Sequence, residues 1–320
     1  MRRHGRHRTA AGILLAVGTL LAGALSATAA GAAPAPTSFK QQQSPGFWTA
    51  ERMRSATPLD LLADTRGALK SRKAVKAVKA PEPGAAPTTV APTAFPQAGG
   101  AWAGGGAVVK TSGRVFFSFQ GRTASCSGNA VTSQNASTVI TAGHCVKYQG
   151  SWHTNWVFVP AYNNGQAPYG QWSATKTFAT DQWAASEDIN YDVGAAVVAP
   201  LNGKKLTETV GAQGLQFNGG YNKPMYAFGF PAASPYDGTK LIYCSGNTSK
   251  DFLFSKDHSL ACNMTGGSSG GPWFASFNET TGTGLQTSVN SFGYTFLPNR
   301  MFGPYFGDEA KAVYDKAQIT

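Results

Sequence analysis

Charge is scarce in this chain. Only 13% of its 320 residues are Asp, Glu, Lys or Arg. Surface helices need a charged face, so this supply excludes an architecture built mainly from long ones. The formal net charge of +11 would ordinarily raise nucleic acid as a partner, but it is unevenly spread. Residues 1–100 hold 13 Lys/Arg against 4 Asp/Glu, whereas residues 101–320 hold 14 against 12. The second part therefore has no basic footprint for DNA or RNA. Cysteine is limited to Cys126, Cys145, Cys244 and Cys262, and no Cys-x-x-Cys pair exists, which argues against zinc. Past the N-terminal stretch, no apolar run approaches a membrane span. Histidine numbers five, and none follows His258.

What is present begins with a cationic MRRHGRHR, then the apolar AGILLAVGTLLAGAL, then small residues at Ala27-Thr28-Ala29 and Ala30-Gly31-Ala32. This order reads as a secretory signal peptide over residues 1–33. An uncleaved anchor is the alternative, disfavoured by the short, Gly-interrupted run. The mature chain is expected to be soluble, extracellular and monomeric, with no membrane attachment. An oxidising compartment favours two disulfides among the four cysteines. Three connectivities are open. Nearest-neighbour pairing closes two short loops and is favoured, each loop contributing about 3 kcal/mol on the chain-entropy account.

Residues 34–103 read as a propeptide or disordered linker. Within them FWTAERMRSATPLDLLA has the composition of a short helix, KSRKAVKAVKA is basic, and PEPGAAPTTVAPTAFPQAGG is an extended linker. A permanent N-terminal arm is the alternative. From residue 104 to 320 the pattern changes to short β-branched and aromatic runs separated by Gly, Asn, Pro and Ser. These are GAVVKT, RVFFSF, STVITA, WVFVPAY, DVGAAVVAP, PMYAFGF, KLIYC and QTSVNSFGY. One helical segment is expected, Asp308 to Gln318. No internal repeat is visible. The pattern is that of an all-β barrel or sandwich.

GGSSGGPW, Gly266 to Trp273, contains Gly-x-Ser-x-Gly, the nucleophile elbow of α/β-hydrolases. That elbow needs a histidine downstream of its serine, and none exists here. Alternating strands and helices are also missing. Any base must therefore lie upstream. His144 follows the apolar Val139-Ile140 in STVITAGHCV, on the rigid end of a strand and beside Cys145, and suits a general base. His153, in a polar Trp-rich loop, and His258, in KDHSL, read as surface and turn residues. Asp192 opens the apolar run of NYDVGAAVV, where an acid entering a buried strand needs a hydrogen-bond partner such as a histidine N–H. Asp188, in the polar run SEDIN, is the less favoured acid.

His144, Asp192 and Ser269 follow one another in the order of the His-Asp-Ser triad. TAGHC, YDVGAAVV and GGSSGGPW together resemble the three signature segments of secreted bacterial trypsin/chymotrypsin-like serine proteases, including the V8-like group. FWTAERM and the signal-plus-linker layout are similar to precursors of actinobacterial members. The resemblance covers about residues 104–320. It implies a double six-stranded β-barrel with a C-terminal helix, a polypeptide substrate and no cofactor or metal. It implies Ser269 as nucleophile, His144 as general acid/base, Asp192 as orienting acid, and an oxyanion hole from the backbone N–H groups of Gly267 and Ser269. Ser291, Phe292 and Gly293 resemble the edge strand that binds substrate backbone. Asn263 falls at the floor of the specificity pocket, where its neutral amide argues against an Arg/Lys preference. Asn290 stands where glutamate-specific members carry histidine, which argues against strict Glu specificity. Ser268 replaces an acid that in animal trypsins pairs with a new N-terminus. Activation should then tolerate different N-termini within residues 80–104. A non-catalytic peptide-binding module on the same fold is the alternative reading.

Overall fold

The β-branched and aromatic runs after residue 111 bury one face each by closing on themselves. A computed structural model describes Met1 and residues 36–63, 69–71 and 95–320. The signal-peptide reading and the linker residues 72–94 lie outside these residues. Six strands form a closed barrel: Ser112–Phe119, Arg122–Ala130, Thr138–Thr141, Thr154–Pro160, Trp172–Ala179 and Gly194–Val198. Closure comes from antiparallel pairing of Gly194–Val198 with both Thr138–Thr141 and Trp172–Ala179. Beyond the short pairing of Asn129 and Ala130 with Thr138–Thr141, the strand Arg122–Ala130 still offers an edge to another segment. Val115, Phe117, Val139, Ile140, Phe158, Phe178 and Ala195 fill the interior.

The second half consists of two six-stranded sheets. One runs Gly214–Leu215, Thr283–Val289, Pro272–Asn278, Pro224–Gly229, Ile242–Asn247, Gln97–Ala101 in spatial order. The other runs Ser249–Lys250, His258–Ala261, Leu297–Gly303, Phe292–Tyr294, Leu61–Ala63, Leu69–Ser71. The helix Asp308–Gln318 forms as expected, and its Ala310, Val313 and Ala317 join the core of the first barrel. The all-β, chymotrypsin-like architecture with its C-terminal helix is thus present. The two disulfides are Cys126–Cys145 and Cys244–Cys262, the nearest-neighbour pairing.

Three expectations need correction. Gly106–Thr111 is not a strand; Ala107–Thr111 is a short helix. Gly106, at φ 74°, turns the chain there, and the N–H groups of Ala107 and Val108 donate to the carbonyls of Thr281 and Gly282 at 2.8 and 2.9 Å. Arg122–Ala130 is a strand although RTASCSGNA is polar. Two of its buried polar side chains gain partners: Arg114 donates to Ser125 Oγ at 2.6 Å, and Asn129 Nδ2 donates to Gln286 Oε1 at 2.8 Å.

The third concerns residues 34–103, which where described are ordered and folded onto the domain. Thr37–Lys40 pairs antiparallel with Trp172–Ala179. The helix Ala50–Ser55 is capped by Thr49, whose Oγ1 accepts from Arg52 N–H at 3.2 Å. Thr57–Pro58 pairs parallel with Arg122–Ala130, and Leu61–Ala63 pairs parallel with Phe292–Tyr294. Trp48, Met53, Leu59 and Leu61 are all buried, and that apolar area offsets the entropy of ordering the segment. Residues just ahead of 104 also pack on the second half. Gln97–Ala101 pairs with Ile242–Asn247, and Trp102 packs edge-on against Phe228 and Tyr243.

Candidate active site

The end of the strand Thr138–Thr141 delivers TAGHC into a single 3-10 turn, Gly143–Cys145. The disulfide from Cys145 to Cys126 ties that turn to the neighbouring strand. Gly143 is required by close packing. A Cβ there would lie 2.7 Å from the Trp183 ring and 3.0 Å from Asp192 Oδ1. His144 and Asp192 are both fully buried. Asp192 Oδ2 accepts from His144 Nδ1 at 2.7 Å, and Oδ1 accepts from the His144 backbone N–H at 2.7 Å. A third donor, Ser291 Oγ, reaches Oδ2 at 2.6 Å. The buried carboxylate is thus fully engaged, as its burial demands. Asp188 sits apart, capping the turn Ile189–Tyr191 through Asn190 N–H.

GGSSGGPW forms the loop before the strand Pro272–Asn278. Gly267 has φ +94°, which directs its N–H outward in a conformation L side chains rarely adopt. Ser268 is buried, and its Oγ donates to Thr265 O at 2.8 Å, so the loop is tied internally where an acid would need an ion pair. Ser127 pins the loop to the first barrel: its N–H donates to Ser269 O at 2.7 Å and its Oγ to Gly267 O at 2.9 Å. Asn290 holds the other side. Its Nδ2 donates to Phe228 O at 2.8 Å and Ser268 O at 3.0 Å, and its Oδ1 accepts from Trp273 Nε1 at 2.7 Å.

Ser269 lies at this junction of the two halves. Its Oγ makes a long contact of 3.4 Å to the carbonyl of Leu59, and the Gly267 N–H donates to the same oxygen at 2.9 Å. His144 Nε2 is buried and makes no hydrogen bond.

A cavity of about 230 Å³ opens beside the loop, lined among others by Asp60, Asn263, Thr265, Gly293 and Arg300. Asn263 is therefore at the pocket, with its Oδ1 accepting from Tyr236 Oη at 2.6 Å. Gly293 walls it. Two residues of the same stretch have further roles. Ser291 supports Asp192 with its side chain and donates its N–H to Phe302 O at 2.9 Å, while Phe292 is buried against Phe302. Asn290 braces the serine loop rather than lining the pocket. A sequence signal for this did exist: an amide flanked by Val289 and Ser291 in a buried strand must find several partners.

His153 and His258 are not surface residues; both are fully buried. His153 Nε2 donates to the carbonyl of His144 at 2.9 Å while its ring stacks on Phe117 at 4.2 Å. Burial pushes its pKa from 6.5 down to about 3, so it braces the His144 turn as a neutral ring. Burial likewise takes His258 down to about 4. Neighbouring Asp257, buried with neither carboxyl oxygen partnered, is raised well above the usual carboxylate range by burial and by the charges of Asp192, Asp251 and Asp188. Among the described residues, the cluster with metal-ligand character is Cys126, Cys145 and His144. Its two sulfurs are joined in a disulfide and offer no thiolate.

No protein-family model matches the sequence. Among solved structures, the protease Anisep from Arthrobacter nicotinovorans is 45% identical, with 66% of this chain and 96% of that one covered and a TM-score of 0.63. A thermostable serine protease, AL20, from an extremophilic microorganism is 42% identical, covering 67% of this chain and 99% of that one, also with a TM-score of 0.63. Among curated proteins, an extracellular metalloprotease of Bacillus subtilis (strain 168) is 28% identical over 186 residues. The match covers 57% of this chain and 56% of that relative, so the chain spans little more than half its length.

Proposed function

Since the chain belongs to the bacterial serine proteases of the trypsin/chymotrypsin type, we propose that it is a secreted serine endopeptidase cleaving polypeptides through an acyl-enzyme at Ser269. The observation that carries this reading is the buried His144–Asp192 pair at 2.7 Å on the barrel to which Ser127 ties the Ser269 loop, together with a Gly267 N–H that already holds a peptide carbonyl.

Asp192 accepts at His144 Nδ1, which fixes the proton there and leaves Nε2 as the base. Nε2 takes the Ser269 hydroxyl proton as Oγ attacks the scissile carbonyl carbon, then returns it to the leaving amine. Water repeats the sequence on the ester. The N–H groups of Gly267 and Ser269 stabilise the oxyanion, and loss of one such donor costs about 3 kcal/mol in the transition state. Asn263 and Gly293 take the side chain preceding the scissile bond. Secretion draws support from the two disulfides and the N-terminal sequence. Among the described residues, no helix is long and apolar enough to cross a membrane.

The test is cleavage of a peptide library by secreted protein, with Ser269→Ala as control and a fluorophosphonate probe for the serine. Hydrolysis and labelling are expected in the native protein and absent in the variant. Unchanged cleavage by Ser269→Ala would overturn the assignment, and native protein that binds peptide without labelling would make it a binding module.

A further inference from the structure

The cleft beside Ser269 is occupied by the chain's own residues 57–63. Thr57–Pro58 adds to Arg122–Ala130, with Thr57 opposite Ala124 and Pro58 opposite Ser125. Leu61–Ala63 adds to Phe292–Tyr294, with Leu62 opposite Gly293 and Ala63 opposite Tyr294. Between these two pairings, the Leu59 N–H donates to Ser125 O and the Leu59 carbonyl receives the Gly267 N–H, both at 2.9 Å. Asp60 follows at the mouth of the cavity that holds Asn263 and packs beside Gly266, where an added Cβ would meet its own at 2.9 Å. Leu61 is fully buried, in the same cluster as Phe292 and Tyr294. A peptide that adds a strand on both sides of a nucleophile and puts its carbonyl on the oxyanion donor fills the cleft of a substrate, but here it runs in reverse: Asp60, which follows the Leu59 carbonyl, stands at the pocket proposed for the residue that precedes the scissile bond.

Occupation is not reaction. His144 Nε2 has no hydrogen-bond partner, and Leu61–Ala63 runs parallel to Phe292–Tyr294, so the residues beyond the Leu59 carbonyl lie on the wrong side of it to leave as a substrate's amine would. The segment is also anchored far from the cleft. Thr37–Lys40 adds to the first barrel, Gln43 Nε2 donates to the carbonyls of Trp156 and Ala174 at 2.9 and 3.0 Å, and Trp48 Nε1 donates to Asn155 O at 2.6 Å.

We propose that residues 36–63 are a built-in inhibitor of the cleft, with residues 57–63 as its blocking strand and residues 36–56 as its anchor, and that the same peptide is a reversible ligand of the processed enzyme. This rests on the serine-hydrolase reading above. The anchor gives the strand an effective concentration near millimolar, so even a micromolar-range contact suppresses the free cleft on the order of a hundredfold.

The experiment follows fluorophosphonate labelling of the unprocessed full-length band on a gel, in the native sequence and in Leu61→Asp, alongside processed enzyme. The native unprocessed band is expected to label on the order of a hundredfold more slowly than processed enzyme, and Leu61→Asp to recover most of the difference. In a second arm, a synthetic peptide of residues 36–63 is added to processed enzyme. It should inhibit hydrolysis competitively and remain uncut by mass spectrometry, and a scrambled peptide should not inhibit. This arm decides the matter if Leu61→Asp does not fold. Equal labelling of unprocessed and processed bands, lack of inhibition, or cleavage of the peptide after Leu59 would each overturn the proposal while leaving the protease reading intact. Absence of labelling in every form would refute that reading and the proposal with it.

Discussion

Replacing Asp192 by Asn tests the site at its most constrained atom. The carboxylate accepts three hydrogen bonds, from the His144 backbone N–H at 2.7 Å, from His144 Nδ1 at 2.7 Å and from Ser291 Oγ at 2.6 Å. An amide of the same shape has one oxygen and one NH2. With its oxygen kept on the His144 backbone, the NH2 faces Nδ1, which must then accept, and the ring proton moves to Nε2. A protonated Nε2 cannot take the Ser269 proton. Because both partners are fully buried, no water restores the lost acceptor. The wrong tautomer should cost about 10⁴-fold in kcat, which is about 5 kcal/mol of transition-state stabilisation. KM should change little, since the pocket around Asn263 is untouched. Ser291 can rotate its hydroxyl to accept from the new NH2, so the fold should survive. Single-turnover kinetics on a chromogenic peptide, with a thermal melt as control, measure both. A loss below about tenfold with an unchanged melt would refute the assignment of Asp192 as the group that sets the His144 tautomer.

The start of the domain gives a second expectation. A mature chain beginning at residue 95 keeps the strand Gln97–Ala101 and Trp102, whereas one beginning at residue 104 loses both, together with the Asn263 N–H bond to Ala98 O. Losing a buried Trp and its strand should cost about 3–5 kcal/mol, seen as a lower urea midpoint; equal midpoints would refute the structural role of this strand. N-termini within residues 80–104 should therefore differ in stability, a separate matter from the activity expected of all of them. A third concerns pH. His153 and His258 are held neutral, so the unfolded chain binds their protons first, and stability falls as pH drops from 6.5 towards 3 for His153 and towards 4 for His258, by at most about 5 and about 3 kcal/mol respectively. Asp257 acts in the opposite sense: its raised pKa makes the folded state hold a proton that the unfolded state releases, so its contribution falls as pH rises above about 4. Asp257→Asn should therefore melt above the native protein at pH 7, with the gap closing by pH 4. A gap independent of pH in calorimetry would contradict this.

The proposed reacting groups could be named from the sequence because chemistry restricts such groups to few residue types. Only three histidines lie outside the N-terminal basic run, and TAGHC alone puts one at the end of an apolar strand. The polar strand Arg122–Ala130 was not legible, since Ser127 and Asn129 find side-chain partners in the Gly267 carbonyl and Gln286, far away in sequence. The burial of His153 was hidden for the same reason: its partner is a main-chain carbonyl, and main chain carries no sequence signature. Residues 57–63 were invisible as cleft occupants because strand addition reads backbone, and the Pro-rich linker beyond them masked an apolar segment that folds.

The helix Asp308–Gln318 buries its apolar face in the barrel that carries His144 and Asp192, and Asn135 in that barrel donates to the Ala317 carbonyl at 2.8 Å. A chain threaded through a membrane from its N-terminus would therefore deliver its base and acid long before the residues that finish their housing. Ser269 too emerges ahead of that helix. On the proposed assignment, a half-translocated polypeptide would carry all three side chains before the helix that completes the core of their barrel, and assembly of the site would wait on export of the last residues.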